Sequence, residues 1–497
     1  MPLRPFNREQ AFLLPPSLDE LVPADHSVRF VDALLDGLGE ADWRELGIEL
    51  EGDPNGAPAY HPRALLGVWL YGFMSGTRSS RKLEQACREQ MPYVWLTGFQ
   101  WPDHNTLWRF WQEHRAQMHR LLPLTVRMAV ETGLLDLAFQ AVDASRVQAS
   151  ASKERTLDQD GLMRLMRRVH EEIEELERQN GAENSPQEPR LPEDLAEKRA
   201  LLGKVHEALE RIRGSGEKRT NLTDKDAVLL KSRTGFIAGY SAHIAVSPLA
   251  GTGPPEPEER LQPQRMLITA AAVAGSVEDQ PHLVPVIREA SVNTGDEHTL
   301  TLADGGYHSG ENLSLLRDEK RVALMPESGR RREPGPYDKA CFVYHAEDST
   351  YVCPEGQRLR FDGVIHRKGR PPVGRWRAEG KVCRGCRAFG ECTANRMGRI
   401  VEAGPHEGLL AAHRRMMGQE WAKALYAKRK QVVEPVFGMI KEQQQARRFL
   451  LRGIANVKAE WSLLAAAFNL RMLSAMWREG RTALSSGRSS TPLSSAG

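Results

Sequence analysis

The stretch LAFQAVDAS, residues 137–145, decides the fold of this chain. Its first six residues are mostly apolar and of a length that suits one buried strand, and the strand ends at Asp143 before two small residues. A second apolar run, LTLADGGY at residues 300–307, ends in the same way at Asp304. The two glycines that follow let the backbone turn sharply and leave room around the carboxylate. We therefore expect a sheet that places aspartates at the ends of two strands.

The pattern of the remaining chain predicts an α/β protein with several parts. Strand-like segments return at residues 239–246, 266–274 and 321–325, with a helical stretch around 280–290, and this alternation indicates an α/β sheet. We divide the chain into an N-terminal helical domain at 1–134, an α/β domain at 135–475 with a helical-hairpin insertion at 153–215 and a basic, Cys-rich insert at 330–400, and a disordered tail at 476–497.

Composition indicates an ordinary globular protein. Hydrophobic residues make up 40% of the 497 residues and charged residues 27%, and no apolar run is long enough to span a membrane. The N-terminus lacks a secretory signal pattern, so a cytoplasmic location is expected.

The net charge of +3 does not by itself indicate nucleic-acid binding. The Lys- and Arg-rich stretches 358–399 and 423–452 could neutralise DNA phosphates locally, although solvated helix faces explain any one charge run as well.

A third acidic residue, Glu434, lies in a helical segment. Lys430 and Lys441 stand four residues before it and seven after it, and these spacings place all three on roughly one helix face. Carboxylate oxygens are suitable ligands for Mg²⁺, and two such ions can activate an attacking oxygen and stabilise a leaving one. Two strand-end aspartates and a helix glutamate are typical of a phosphoryl-transfer site, although each acid alone is usually a turn or surface residue.

Three strings resemble the acidic motifs of bacterial insertion-sequence DDE transposases. They are AVDAS at 141–145, LADGGYHS at 302–309 and VEPVFGMIK at 433–441, and they occur in the family's order. The resemblance implies a ribonuclease H-like mixed sheet flanked by helices and an N-terminal all-α, helix-turn-helix-like DNA-binding domain. It makes Asp143, Asp304 and Glu434 the catalytic triad that binds two Mg²⁺ or Mn²⁺ ions.

The resemblance also implies an activity and partners. A transposase of this family binds the terminal inverted repeats of its insertion sequence and performs metal-dependent strand cleavage and strand transfer, commonly as a homodimer on double-stranded DNA in the bacterial cytoplasm. The residues predicted to bind DNA are basic and lie in or after the third motif: Lys430, Lys441, Arg447, Arg448 and Arg452. Lys430 and Lys441 fit the family's Arg and Lys places, whereas Ala427 stands where a tyrosine is expected and Tyr426 is one residue off.

Four cysteines form a candidate zinc site. Cys353, Cys383, Cys386 and Cys392 have the spacing Cys-x29-Cys-x2-Cys-x5-Cys, and a Cys-x-x-Cys pair on a tight turn suits tetrahedral Zn²⁺. His366 could replace one ligand. The alternative is four reduced thiols, the class to which we assign the other two cysteines, Cys87 and Cys341.

Two other functions remain compatible with the sequence. A transposase-derived regulator that binds DNA without cleaving it would keep the helical N-terminus and the basic segments, but it would not need three intact acids. A ribonuclease H-like nuclease would cut DNA without joining strands. Strand-transfer assays separate these alternatives.

Overall fold

A computed structural model gives the fold of the protein. It describes residues 17–51, 59–182, 193–232, 235–249, 265–327, 335–345, 347–367 and 370–485. Most of the turn expected within the helical-hairpin insertion, and residues 486–497 of the predicted tail, lie outside these ranges.

The first part of the chain is helical. Its helices are α1 (Ser27–Asp36), α2 (Glu40–Glu45), α3 (Pro62–Ser75), α4 (Ser80–Glu89), α5 (Met91–Leu96), α6 (His104–His114) and α7 (Leu121–Glu131). Next come β1 (Gln140–Gln148), β2 (Thr156–Asp158), α8 (Gln159–Ala182), α9 (Glu193–Ser215), β3 (Arg219–Asn221), β4 (Val228–Ser232), β5 (Gly235–Pro248) and β6 (Met266–Ala274).

The second part alternates helices and strands. Its elements are α10 (Leu283–Thr294), β7 (Thr301–Ala303), α11 (Gly310–Asp318), β8 (Ala323–Leu324), β9 (Val343–His345), β10 (Thr350–Val352), β11 (Arg358–Arg367), β12 (Arg370–Ala378), α12 (Gly380–Arg384), β13 (Ile400–Ala403), α13 (Glu407–Met417), α14 (Glu420–Ala427), α15 (Arg429–Glu442) and α16 (Ile454–Ser485). Helix α16 therefore continues ten residues into the segment predicted to be a disordered tail.

A six-stranded mixed sheet lies at the centre of the fold. Its order is β4-β5-β1-β7-β8. Strands β4 and β6 share one edge of β5: β4 pairs with its first half and β6 with its second half. β1 is antiparallel to β5 but parallel to β7, and β7 is parallel to β8. These pairings confirm the expected α/β class with a mixed sheet.

Helices cover both faces of this sheet. Neighbouring residues of β1 point to opposite sides, so Ala141 packs with α15, α16 and the N-terminal helices, while Val142 packs with α10 and α11. Helix α3 is apolar all round and buried from Leu65 to Met74, a pattern that requires neighbours on every side. The N-terminal helices consequently share one hydrophobic core with the sheet and α16.

Two smaller units stand beside this core. Helices α8 and α9 form the expected hairpin, with an apolar seam that includes Val169, Val205 and Leu209. Strands β9 to β13 form an antiparallel sheet of order β13-β12-β11-β10-β9 around a small core of its own. None of the helices in the described residues is both long and apolar enough to cross a membrane.

Candidate active site

The structure places Asp143 and Asp304 side by side. Val142 of β1 is paired in register with Ala303 of the parallel strand β7, so the next residue of each chain segment is an aspartate. Adjacent strands of a sheet lie about 4.8 Å apart. The sequence analysis expected both aspartates at strand ends; Asp304 directly follows β7, whereas Asp143 lies within β1, which continues to Gln148.

The Asp143 carboxyl is largely buried, with 16% of its side chain exposed. Burial raises its pKa, the nearby Asp304 carboxylate raises it further, and the guanidinium of Arg429 opposes the rise. One carboxylate oxygen of Asp143 accepts a hydrogen bond from the backbone N–H of Ala144 at 2.8 Å. A buried carboxyl beside a second acid favours a bound cation, since a cation relieves the repulsion between the two.

Arg429, the first residue of α15, supplies one cation. Its Nη1 lies 2.9 Å from Oδ2 of Asp143, and only 11% of its side chain is exposed. Burial raises the pKa of Tyr426, at the end of α14, and the nearby guanidinium of Arg429 opposes that rise. Lys430, which we expected at the family's arginine place, is exposed to solvent. Arg429, and not Lys430, is therefore the cation of α15 that contacts Asp143.

Glu434 lies on α15 with its side chain exposed. Its carboxylate forms no hydrogen bond or ion pair within the described residues. Lys441, two helical turns further along and on the same flank, reaches β1 with its Nζ 2.5 Å from Oγ of Ser145. Helix α15 thus packs along β1. Glu434 lies on the same flank of α15 as Lys441, whose side chain contacts Ser145, two residues after Asp143 on β1.

The residues present fit a divalent cation in part. Asp143 and Asp304 offer carboxylate oxygens of the kind that Mg²⁺ prefers. Among the residues that the structure describes, however, no three His, Cys, Asp or Glu side chains are grouped so that they could hold a metal ion. The two aspartates are a preformed pair, and the exposed Glu434 would have to join them.

A buried polar cluster lies on the opposite face of the sheet, beneath the aspartate pair. Arg146 of β1 binds both oxygens of Asp279 at 2.8 Å, and Ser241 of β5 donates to the same carboxylate at 2.9 Å. Although burial raises the pKa of Asp279, the bond from Arg146 outweighs it and holds that pKa below its usual value. The sequence analysis missed this cluster because its members come from segments far apart in the chain.

His243 and Tyr307 complete the cluster. Nδ1 of His243 and the hydroxyl of Tyr307 are 2.7 Å apart, and both side chains are fully buried. Burial lowers the pKa of His243 to about 3, so the imidazole is neutral and its 3.9 Å approach to Asp279 is not an ion pair. A histidine within the apolar run of β5 was the available sequence signal.

Gly306 keeps the loop after β7 compact. Its backbone N–H donates to Oδ1 of Asp304 at 2.9 Å. A Cβ at this position would lie 2.9 Å from that same oxygen and 3.6 Å from Oδ2 of Asp279. A side chain here would therefore push the Asp304 carboxylate aside while making only an ordinary contact with Asp279, which gives a physical reason for the glycine in this motif.

The predicted DNA-binding arginines lie beyond the end of β1. The backbone of the segment after α15 bridges to this strand, because Gln148 donates to the carbonyl of Arg447 and accepts from Phe449. Nε of Arg452 donates to the carbonyl of Ser150 at 2.8 Å. The side chain of Arg447 pairs with Glu442, and that of Arg448 is exposed. The structure thus brings these arginines to the strand that carries Asp143.

The four cysteines of the predicted zinc site border one cavity, although among the described residues they are not grouped closely enough to hold a metal ion as they stand. Cys353, Cys383, Cys386 and Cys392 line one cavity of about 20 Å³, which is room for roughly one small ligand. Burial raises the pKa of Cys392, and the other three thiols raise it further. His366 does not line this cavity; it is exposed on β11.

Comparison with known families gives two matches. Residues 352–474 match the family described as a transposase DDE domain, and residues 16–113 match a transposase domain (DUF772). The first match includes Glu434 but neither Asp143 nor Asp304. No curated protein and no solved structure matches the chain. Together the two matches support the assignment of this chain to the insertion-sequence DDE transposases, which confirms the family predicted from the three motifs.

Proposed function

We propose that the protein binds the terminal inverted repeats of an insertion sequence and cleaves and transfers DNA strands by metal-dependent transesterification. The observation that carries this proposal is the placement of Asp143 and Asp304 directly after the paired residues Val142 and Ala303 of the parallel strands β1 and β7, with α15, the helix that carries Glu434, packed along β1. Three antiparallel strands, β6-β5-β1, continued by the parallel strands β7 and β8, support a ribonuclease H-like core.

The roles of the side chains follow from their positions. Asp143 and Asp304 hold the divalent ions, with Glu434 as the third ligand. Mg²⁺ or Mn²⁺ bound there would supply activation of the attacking oxygen and stabilisation of the leaving oxygen. Arg429 neutralises Asp143 until a cation is bound and can then turn to a DNA phosphate, since arginine matches phosphate geometry.

DNA contacts complete the proposed site. Lys441 lies against Ser145, after Asp143 on β1, and the exposed Arg448 lies beyond the end of that strand. Both are therefore placed to bind phosphates of DNA that leads away from the acids along β1. Phosphate contacts position DNA without reading its sequence. Recognition of the terminal repeats is assigned to the N-terminal helices, and a homodimer is expected on paired ends.

Strand-transfer assays test this proposal. Purified protein with Mg²⁺ and DNA that carries the element's terminal repeats should give cleaved and joined products. Asp304→Asn should abolish both products, whereas the matched control Asp318→Asn, an exposed aspartate at the end of α11, should leave them unchanged. Binding without any cleavage by the unmodified protein would favour the regulator. Cleavage without joining would favour the nuclease.

We also propose that the four cysteines bind one structural Zn²⁺. Their shared cavity supports this, and so do backbone N–H groups that point at the sulfurs of Cys353 and Cys383, at 3.2 and 3.4 Å, and stabilise thiolates. Elemental analysis should find about one zinc per chain. Cys383→Ser should lose it and the control Cys341→Ser should keep it; a metal-free native protein would rule this site out.

A further inference from the structure

A groove of about 730 Å³ lies beyond the end of β1. Four separate segments form its walls: the stretch after β1, Thr223 after β3, the beginning of β5, and the segment after α15. They bring four cationic side chains to the groove, those of Lys153, Arg155, Arg448 and Arg452, and one acidic side chain, that of Glu154. The catalytic proposal uses Arg448 as a phosphate contact, but neither it nor the family matches assign a role to the groove as a whole.

The cations of the groove are available to an anionic ligand. Within the described part of the chain, Arg155, Arg448 and Arg452 have no acidic partner. Lys153 is about half exposed and has only the distant carboxylate of its neighbour Glu154, at 4.0 Å. Solvent-facing guanidinium groups that converge without acids form a strong phosphate-binding surface.

The backbone beneath these cations is held in place. Arg452 is fixed to β1's continuation by its bond to the carbonyl of Ser150. The carbonyl of Arg448 accepts from the buried guanidinium of Arg78 at 3.0 Å. Because the guanidinium groups project from an ordered frame, less conformational entropy is lost when a ligand binds them.

An aromatic ring stands among the cations. Phe236, near the start of β5, lines the groove with 54% of its surface exposed. A large exposed aromatic gains nothing from the core of the protein, but beside cations it offers a surface on which an unpaired base can stack. A base within an intact duplex keeps its faces covered by its neighbours, so the ring favours a single-stranded segment.

The position of the groove relates it to the acidic pair. Gln148, which borders the groove, follows Asp143 by five residues on β1, a span of about 17 Å at about 3.3 Å per residue. DNA rises about 3.4 Å per nucleotide along one strand. A strand that leaves the acids along β1 would reach the groove after about five nucleotides.

We propose that this groove binds a short single-stranded segment of the DNA about five nucleotides from the bond that is cleaved. The arginines and Lys153 bind its phosphates, and Phe236 stacks on one base. The distance to the cleaved bond rests on the proposed function, because it takes the acids as the place of cleavage. The binding of single-stranded DNA itself does not require cleavage.

Fluorescence anisotropy at one fixed salt concentration and without divalent metal tests the groove. The probes are a forked DNA with an unpaired arm and a full duplex of the same length, and the native protein should bind the fork more tightly. Phe236→Ala should weaken fork binding about 5- to 100-fold and duplex binding little, given the usual effect of losing one stacked base. Phe361→Ala, an equally exposed phenylalanine on β11, is the matched control and should change neither affinity.

Salt dependence tests the phosphate contacts. The double variant Lys153→Ala with Arg448→Ala should reduce the slope of log affinity against log salt for the fork by about 1.4, which is about 0.7 for each lost phosphate contact. Equal binding of fork and duplex by the native protein, or fork binding by Phe236→Ala that equals the control, would overturn the proposal. Tighter binding of RNA of the same sequence would overturn the choice of DNA.

Failure of the groove and failure of the catalytic proposal give different results. If the native protein neither cleaves nor joins DNA but Phe236→Ala still weakens binding of the forked DNA, the proposal for the groove is supported and the catalytic proposal is contradicted. If cleavage depends on Asp304 while Phe236→Ala binds the forked DNA with native affinity, the catalytic proposal is supported and the proposal for the groove is contradicted.

Discussion

Arg78 and Glu460 form a buried ion pair that joins the N-terminal helices to α16. Nη1 of Arg78 lies 2.7 Å from Oε1 of Glu460, with 5% and 2% of the side chains exposed. The carboxylate also accepts from the backbone N–H groups of Leu450 and Leu451 at 3.0 to 3.1 Å. We predict that Arg78→Met destabilises the protein strongly, because it leaves a buried charge with two amide donors and no cation.

The magnitude follows from this burial. Removing one partner of a buried pair costs about 3–5 kcal/mol, whereas an exposed pair contributes about 1 kcal/mol or less. Arg88→Met, which breaks the exposed pair with Glu84 on α4, is the matched control. The double variant Arg78→Met with Glu460→Gln should recover much of the loss, because no unpaired charge remains.

Urea unfolding followed by tryptophan fluorescence measures these differences. The penalty should also depend on pH. Burial raises the pKa of the Glu460 carboxyl and Arg78 opposes that rise, so without Arg78 the pKa rises further. A carboxyl with a raised pKa is tolerated when protonated and costs stability when ionised, so the penalty of Arg78→Met should shrink as the pH falls. A loss below 1 kcal/mol, or no recovery in the double variant, would refute this reasoning.

Three further substitutions test the site. Gly306→Ala should reduce strand transfer but not DNA binding, because its Cβ would displace the adjacent Asp304 carboxylate, while Gly203→Ala on α9, which meets open space, should have no effect. Tyr307→Phe should lower the free energy of unfolding by about 1–3 kcal/mol because a buried imidazole loses its partner, and an unchanged unfolding midpoint would contradict the buried cluster. Arg429→Ala should reduce strand transfer more than Lys430→Ala does; the reverse order in the same assay would restore Lys430 to the site.

The aspartate pair could be predicted from the sequence because its signal is local. Each aspartate follows a short apolar run, which predicts a strand before it, whereas the adjacency of the two strands comes from the sheet order. The limits of β1 were less predictable. The strand continues five residues beyond Asp143, and its polar second half pairs with β5 throughout. Polar residues in a central strand do not match an apolar strand pattern, and here they face the acidic site and the buried cluster.

The position of Arg429 could not be predicted from spacing to Glu434 alone. A shift of one residue rotates a side chain by about 100° around a helix, so Lys430 points to solvent while Arg429 points to Asp143. The buried residues Val432, Val436 and Ile440 follow Arg429 at helical intervals. That stripe was the signal in the sequence, since it places Arg429 on the inward face.

The relation of the N-terminal helices to the sheet depends on tertiary packing. Their existence follows from local patterns, and the all-round apolar α3 indicated that something must cover it. The covering element is α16, almost 400 residues later in the chain. No local pattern pairs two such distant helices, and for this reason the sequence suggested a separate domain where the structure has a shared core.

Glu434 is the acid whose role depends most on the proposed function, because it is exposed and lies apart from the aspartate pair. The most direct test is strand transfer by Glu434→Gln with Mg²⁺, beside Glu420→Gln, an exposed glutamate at the start of α14, and beside a DNA-binding measurement for both variants. If the three acids act as one metal-binding set, Glu434→Gln binds DNA normally and yields no joined product, while Glu420→Gln joins at the native rate. Joined product from Glu434→Gln at the native rate would contradict the assignment.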